Sequence, residues 1–278
     1  AHRVLFAPTG RAQGRGQARH PEREAGRRQP LAGEPRHQIV IASAAADGAD
    51  AEAIAKQVEG VAAVAPTVRG QAQLASEGTN WNSRIEGVTP DYLVARDLTI
   101  GQGRMFDERE ARQGRTVAVI GTTVARELFG DADPVGKRIR VGSSPFQVVG
   151  VLTSKGQSGF GQDQDDIVLG PLPAVRSRVV GRRVKGDTVQ TIYIKAASED
   201  DLSRVQEDAT TLLRERHRIR EGEEDDFQAQ NMASILQASQ AATATFTILL
   251  AGRVDLNQTV VFKASHNSAV QQIRLGRR

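Results

Sequence analysis

Residues 85–151 decide the fold. They run I-E-G-V-T-P-D-Y-L from Ile85 to Leu93, G-R-M-F from Gly103 to Phe106 with Glu110 four residues on, and T-V-A-V-I-G from Thr116 to Gly121. L-F-G-D-A-D-P-V-G-K-R-I-R-V from Leu128 to Val141 and F-Q-V-V-G-V from Phe146 to Val151 complete them. Glycines mark the ends of short elements. Gly121 closes an apolar β-branched run and Gly130 follows a helical one, while Asp133-Pro134-Val135-Gly136 is turn chemistry between that helix and the next strand. No residue here pairs a nucleophile with a base or has metal-ligand spacing, so the stretch reads as architecture.

Five pieces carry a resemblance. Gly87-Val88-Thr89-Pro90-Asp91-Tyr92, Gly103-Arg104-x-Phe106, Val119-Ile120-Gly121, Leu128-Phe129-Gly130-x-x-Asp133-Pro134-x-Gly136-Lys137 and Val148-Val149-Gly150-Val151 follow one another with compatible gaps. In that order they resemble the periplasmic core domain of ABC-type export permeases of the macrolide-exporter MacB kind. That group also holds lipoprotein-release and antimicrobial-peptide export permeases. The resemblance covers about residues 38–251.

It implies an α+β fold, a porter-like split β-α-β sandwich with an inserted β-rich subdomain. It implies no cofactor in this chain. Its partners would be a second permease copy or paired permease, a periplasmic adaptor or other periplasmic protein, and a separate or fused ATP-binding subunit. The domain would lie on the extracytoplasmic face of the inner membrane.

Composition narrows the classes. The chain has 278 residues and no cysteine, which excludes disulfides and thiolate metal sites. Aromatic residues are 4% of the total, too few for a base-stacking surface. The net charge of +4 is concentrated in the flanks: residues 1–37 hold eight Arg against three Glu, and residues 252–278 hold five Arg or Lys against one Asp. Residues 38–251 carry 24 positive against 29 negative groups, which argues against nucleic acid as a partner.

Residues 1–37 are rich in Arg, Gly, Gln and Pro, with Gly14, Gly16, Pro21 and Gly26 opposing a helix, and read as a basic disordered flank. Gln38–Ser43 reads as a strand, and Asp47 or Asp50 caps a helix carrying Ala53, Ile54, Val58 and Val61. Val64–Leu74 reads as extended, closing one β-α-β unit. A second unit comes late: Thr188–Ala196 alternates as a strand, and Ser198 with Glu199, Asp200 and Asp201 opens a helix lined by Leu202, Val205, Ala209, Leu212 and Leu213. Asp226–Asn231 returns as a strand.

Residues 38–76 and 166–231 thus form the porter-like part, with helices on one face of a sheet. Residues 77–165 form the insert, with short helices at Asp107–Gln113 and Thr122–Phe129. A helix begins at Met232 and runs through residues 232–251. Its segment Ala241–Ala251 is eleven residues long, against the roughly 20 that a bilayer requires, and a basic tail occupies residues 252–278. No stretch reaches spanning length, so the polypeptide as it stands is expected to be soluble, with the membrane helices of the family outside it.

The candidate partner-facing residues lie in the loop Lys155–Asp166, K-G-Q-S-G-F-G-Q-D-Q-D-D. Gly159-Phe160-Gly161 supplies an apolar tip. Asp163, Asp165 and Asp166 offer hard oxygen ligands without the spacing of a calcium loop. Gly101-Gln102-Gly103-Arg104 reads as a turn, not a phosphate loop. Trp81 is either a core anchor or an exposed contact. None of the five histidines pairs with a carboxylate or a second His at ligand spacing. No serine lies in a G-x-S-x-G context.

The reading is a non-catalytic extracytoplasmic domain of an export permease, transmitting ATP-driven motion to a partner. The alternative is a stand-alone extracytoplasmic binding module, which would need a large apolar pocket. An enzyme would need convergent titratable groups.

Overall fold

The computed structural model describes residues 37–158, 161–181 and 186–232. The elements, in chain order, are β1 (Gln38–Ser43), α1 (Gly48–Gln57), β2 (Val61–Ser76), β3 (Thr79–Val88), α2 (Tyr92–Ala95), β4 (Ile100–Gly103) and α3 (Glu108–Arg112). There follow β5 (Val117–Ile120), α4 (Thr122–Phe129), β6 (Arg138–Val141), β7 (Ser144–Leu152), β8 (Ile167–Pro171), α5 (Leu172–Val175) with a π-helical turn Arg176–Val180, β9 (Thr191–Ala196), α6 (Leu202–His217) and β10 (Phe227–Asn231).

Local chemistry explains the helix starts. Asp47 and Asp107 each accept from the backbone N–H three residues on, while Asp50 and Glu110 return the bond to the cap residue. The helix α6 opens at Leu202, later than Ser198 implied. Ser198 instead hydrogen-bonds Asp201, which stands at the cap.

Strand pairing divides along β2. Its first half, Val61–Thr67, pairs with β9, and its second half, Val68–Ser76, pairs with β3. On the first side lies the antiparallel order β10-β1-β9-β2. Ile39, Ile41, Ile54, Ile192, Ile194, Val205, Ala209 and Leu213 are buried in one core there, as the alternation of β1 and β9 and the apolar stripe of α6 require. The other face, through Ala63, Ala65 and Tyr193, packs with Tyr92 and Ala95 of α2.

On the second side the strands close on themselves. β2 pairs β3, β3 pairs β8, β8 pairs β5, β5 pairs β7, β7 pairs β6, and β6 pairs back to β2 through Leu74↔Val141 and Ala75↔Arg140. The inserted β-rich part is therefore a six-stranded barrel. Leu74, Ile85, Ile120, Ile139, Phe146, Val148 and Val168 are buried within the main core, as a small barrel filled by side chains demands.

Two sequence expectations need correction. β8 belongs to the barrel, so the insert extends past residue 165. Gly101–Gly103 is not a turn but lies in β4, an edge strand hydrogen-bonded to β7. A Cβ at Gly103 would stand 2.3 Å from the Val149 carbonyl oxygen, and its φ is +72°, so only glycine allows this approach. The helix expected from Met232 onward lies outside the described residues apart from Met232 itself, as do the flanks 1–36 and 252–278.

Candidate functional site: the Thr153–Asp166 loop and the barrel junction

The loop chosen from the sequence is held at its base by its own aspartates. Asp165 is buried and accepts from the Ser154 hydroxyl and from the backbone N–H groups of Lys155 (2.8 Å) and Gly156 (3.0 Å). Burial raises the Asp165 pKa, but the bonds from Ser154, Lys155, Gly156 and Thr122 outweigh it and hold the carboxyl below its ordinary range. Asp163 accepts from Thr123 Oγ1 (2.8 Å) and from the Asp165 N–H (2.8 Å). Asp166 accepts from Trp81 Nε1 at 3.0 Å. Trp81 is half-buried and packs on the main core, so of its two sequence roles it takes the anchor.

Gly121 makes this base possible. A Cβ there would lie 2.0 Å from the Asp165 carbonyl oxygen, and the Gly121 N–H donates to the Ile167 carbonyl at 2.8 Å. The V-I-G signature is thus the floor on which the loop rests. Phe160, the proposed apolar tip, lies outside the described residues. The three aspartates each face a different donor set, and no group of three or more His, Cys, Asp or Glu among the described residues could hold a metal ion.

Beside the loop, an open groove of about 600 Å³ runs between β4, the end of β7 and the α4–β6 connection, with Gln102, Thr122, Arg126, Asp131 and Thr153 in its lining. The connection is shaped by Asp133 Oδ1, which accepts from the Val135 N–H at 2.9 Å. Lys137 lies over the Phe129 ring at 5.1 Å.

A second constellation fixes the barrel to the four-stranded sheet. Glu86 of β3 is only 2% exposed. It accepts from the Tyr92 hydroxyl (2.5 Å) and pairs with Arg69 Nε (3.0 Å). Tyr92 meets Tyr193 of β9 edge-on at 5.6 Å, and the Arg96 and Arg69 guanidinium groups stand 4.8 and 5.6 Å from the Tyr193 ring centre. Burial first, then the Glu86 charge, pushes the Tyr92 phenol far above its ordinary range. The network joins β3, α2 and β9. Its Tyr92 belongs to the Gly-Val-Thr-Pro-Asp-Tyr piece, so that motif is a joint between the two parts.

The remaining motif is a local staple. Arg104 makes a two-pronged ion pair with Glu110 (2.7 and 2.8 Å), whose pKa falls to about 2, led by that bond, while Phe106 is buried beside it. One cluster escaped sequence reading. His217 lies between Asp50 and Asp226, with Arg216 on Asp50, and the 167-residue separation from Asp50 leaves no local signature.

Comparison with known proteins accords with this geometry. The profile of the MacB-like periplasmic core domain matches residues 13–212. The macrolide export ATP-binding/permease protein MacB of Bdellovibrio bacteriovorus is 38% identical over 203 residues, covering 73% of this chain and 30% of that protein. Its counterpart in Rhodospirillum rubrum is 37% identical over 203 residues, covering 72% and 30%. The periplasmic region of MacB from Actinobacillus actinomycetemcomitans superposes with a TM-score of 0.62 at 20% identity, over 76% of this chain and 96% of that one. The extracellular domain of the noncanonic ABC-type transporter YknZ from Gram-positive bacteria gives 0.57 at 19% identity, over 70% and 100%.

The chain belongs to the MacB-like periplasmic core domain family, and is a periplasmic domain of a MacB-like ABC transporter permease. The chain spans about 30% of the length of the curated relatives it matches. No helix among the described residues is long and apolar enough to cross a membrane.

Proposed function

We propose that this domain is the extracytoplasmic lever of an export permease, passing the motion of ATP hydrolysis in the cytoplasm to a periplasmic partner that carries substrate out. It works without chemistry of its own. The observation that carries this reading is the construction of β2, one uninterrupted strand that belongs to the four-stranded sheet at one end and to a closed barrel at the other. Rotating one part against the other would break its ladder or the buried Glu86–Tyr92 bond, so the two move as one body.

In this reading the domain acts in a pair of permeases served by a fused or separate ATP-binding part, as the names of the relatives suggest, with an adaptor or similar protein as the partner. The Lys155–Asp166 loop is a contact for that partner. Phe160, Asp163, Asp165 and Asp166 are its contributing residues, with Asp163 the exposed one of the three aspartates and Asp165 buried at the loop's base.

The test uses the full permease that contains this domain, with macrolide export and ATP hydrolysis measured separately. Tyr92→Phe and Phe160→Ser should each lower export while leaving basal ATP hydrolysis in place. Normal export in both variants, with the domain shown to be folded, would refute the lever.

A further inference from the structure

His217, the last residue of α6, has a carboxylate on each ring nitrogen. Nδ1 lies 2.8 and 3.0 Å from the two Asp226 oxygens, just before β10, and Nε2 lies 3.1 Å from Asp50 Oδ2 on the first turn of α1. The His217 side chain is 10% exposed, Asp50 6% and Asp226 42%. Asp50 is held further by Arg216 Nε at 2.6 Å and by the Asp47 N–H at 2.9 Å. The other charged neighbours are already engaged, since Arg214 of α6 pairs with Asp225. From the β-strand side the site meets the Phe227 ring, edge-on at 6.0 Å, and Ser43 Oγ donates to the Asp226 carbonyl at 3.3 Å.

A neutral imidazole has one N–H and one lone pair, whereas an imidazolium has two N–H donors. Between two carboxylates only the imidazolium satisfies both contacts. Protonation also balances the site, because Asp50, Asp226 and Arg216 alone leave one negative charge. A cation at the C-terminal end of α6 is favoured by the helix dipole as well.

We propose that His217 is a proton-operated clasp, which when protonated ties the end of α6 to α1 and to the start of β10, and when neutral lets β10 loosen. The carboxylate released is Asp226. It is the more exposed of the two and can turn to water, whereas Asp50 stays fixed by Arg216 and by the capping box. β10 is the strand this affects, because among the described residues it stands at the edge of the sheet and pairs only with β1. The clasp operates within the domain itself, whatever the domain is joined to.

The titration runs in the required direction. Burial pulls the His217 pKa down, but the bonds to Asp226 and Asp50 and their charges outweigh it, so the folded value stands above the ordinary one. The stabilisation is therefore complete below the unfolded-state value of about 6.5 and is lost as pH rises through the folded value.

The test is an NMR titration of the histidine ring signals in the full chain, with His217 assigned by its loss in His217→Gln. Amide exchange of β10 is followed across the same pH range and corrected for intrinsic base catalysis. His217 should titrate above ordinary histidine. The β10 amides should lose protection on the order of tenfold through that transition. Asp226→Asn should bring the midpoint down, and His217→Gln should remove the pH step in β10. A midpoint at or below the ordinary value, or the same step in His217→Gln, would overturn the clasp. Should His217→Gln not fold, the Asp226→Asn shift decides: a lowered midpoint supports it and an unmoved one refutes it.

Discussion

Replacing Tyr92 by Phe isolates the barrel junction. The substitution removes a single hydroxyl and keeps the ring that meets Tyr193 edge-on at 5.6 Å. What is lost is one hydrogen bond of 2.5 Å to Glu86, both residues being 2% exposed. Hydrogen bonds to charged groups contribute about 1.5–3 kcal/mol, and a carboxylate left short of a donor in the interior adds its desolvation cost. Glu86 keeps Arg69 at 3.0 Å, so it is not orphaned and the loss should lie near 2 kcal/mol, in the lower half of that range. With a urea m-value of roughly 2.5 kcal/mol/M, the unfolding midpoint should fall by about 0.8 M at unchanged m. Glu86→Gln alone and in combination supplies a double-mutant cycle, which should show a coupling of at least about 1 kcal/mol. A midpoint shift below about 0.2 M, or additive effects in the cycle, would mean that the Tyr92–Glu86 bond does not hold the junction.

Two further expectations concern the loop base. Gly121→Ala places a Cβ 2.0 Å from the Asp165 carbonyl, with backbone on both sides of the clash, and should destabilise by about 2 kcal/mol or more in thermal or urea unfolding; a near-neutral result would show that β5 and the loop can separate cheaply. The depressed Asp165 pKa means that its contribution is present above the unfolded value of about 3.9 and is lost as pH falls through the folded value. Asp165→Asn should therefore be less stable than the parent at neutral pH and converge with it in acid, and parallel stability curves for the two would contradict the assigned bonds.

Local signals carried α1, α3, α4 and α6 and most strands, because their causes are local. The boxes Asp47–Asp50 and Asp107–Glu110 each span three residues, and α4 occupies the range Thr122–Phe129 read from its apolar spacing. The five motif pieces were also legible as architecture, and several of them have a definite place in the structure, with Tyr92 as the joint, Arg104 as the staple and Gly121 as the floor. Barrel closure was not legible. It depends on Leu74↔Val141, a pairing between strands far apart in sequence, and periodicity reports which face a residue takes but not which strand it meets. The extended reading of Val64–Leu74 did hold a hint, since a strand of that length can serve two sheets. The bonds of the loop aspartates were not legible either, for a related reason. Composition marks a carboxylate as polar without saying whether its donors are water, a partner or the backbone ten residues back, as at Lys155. His217 failed the same way, its two carboxylates being nine and 167 residues distant.

If β2 is the lever's spine, its weak point is the handover between sheets, and one residue guards it. At Thr67 the ladder to β9 ends and at Val68 the ladder to β3 begins. Gln190 spans the seam: its N–H donates to the Thr67 carbonyl at 2.9 Å, and its side-chain oxygen accepts from the Arg69 N–H at 2.7 Å. Gln190 is exposed, so Gln190→Ala would hand the Arg69 N–H to water at a cost of about 1 kcal/mol or less in global stability. Locally the effect should be larger. The Arg69 amide should exchange on the order of tenfold faster, while the amides of β1 and β9 on one side and the barrel interior on the other keep their protection. That pattern would locate flexing at the seam and nowhere else. Arg69 is also one of the two guanidinium groups beside Tyr193, so a looser seam should be felt in the Glu86 network too, and Gln190→Ala and Tyr92→Phe should prove non-additive. Unchanged exchange at Arg69 would show that β2 is held straight by packing on both sides, with the Gln190 bonds incidental to its stiffness.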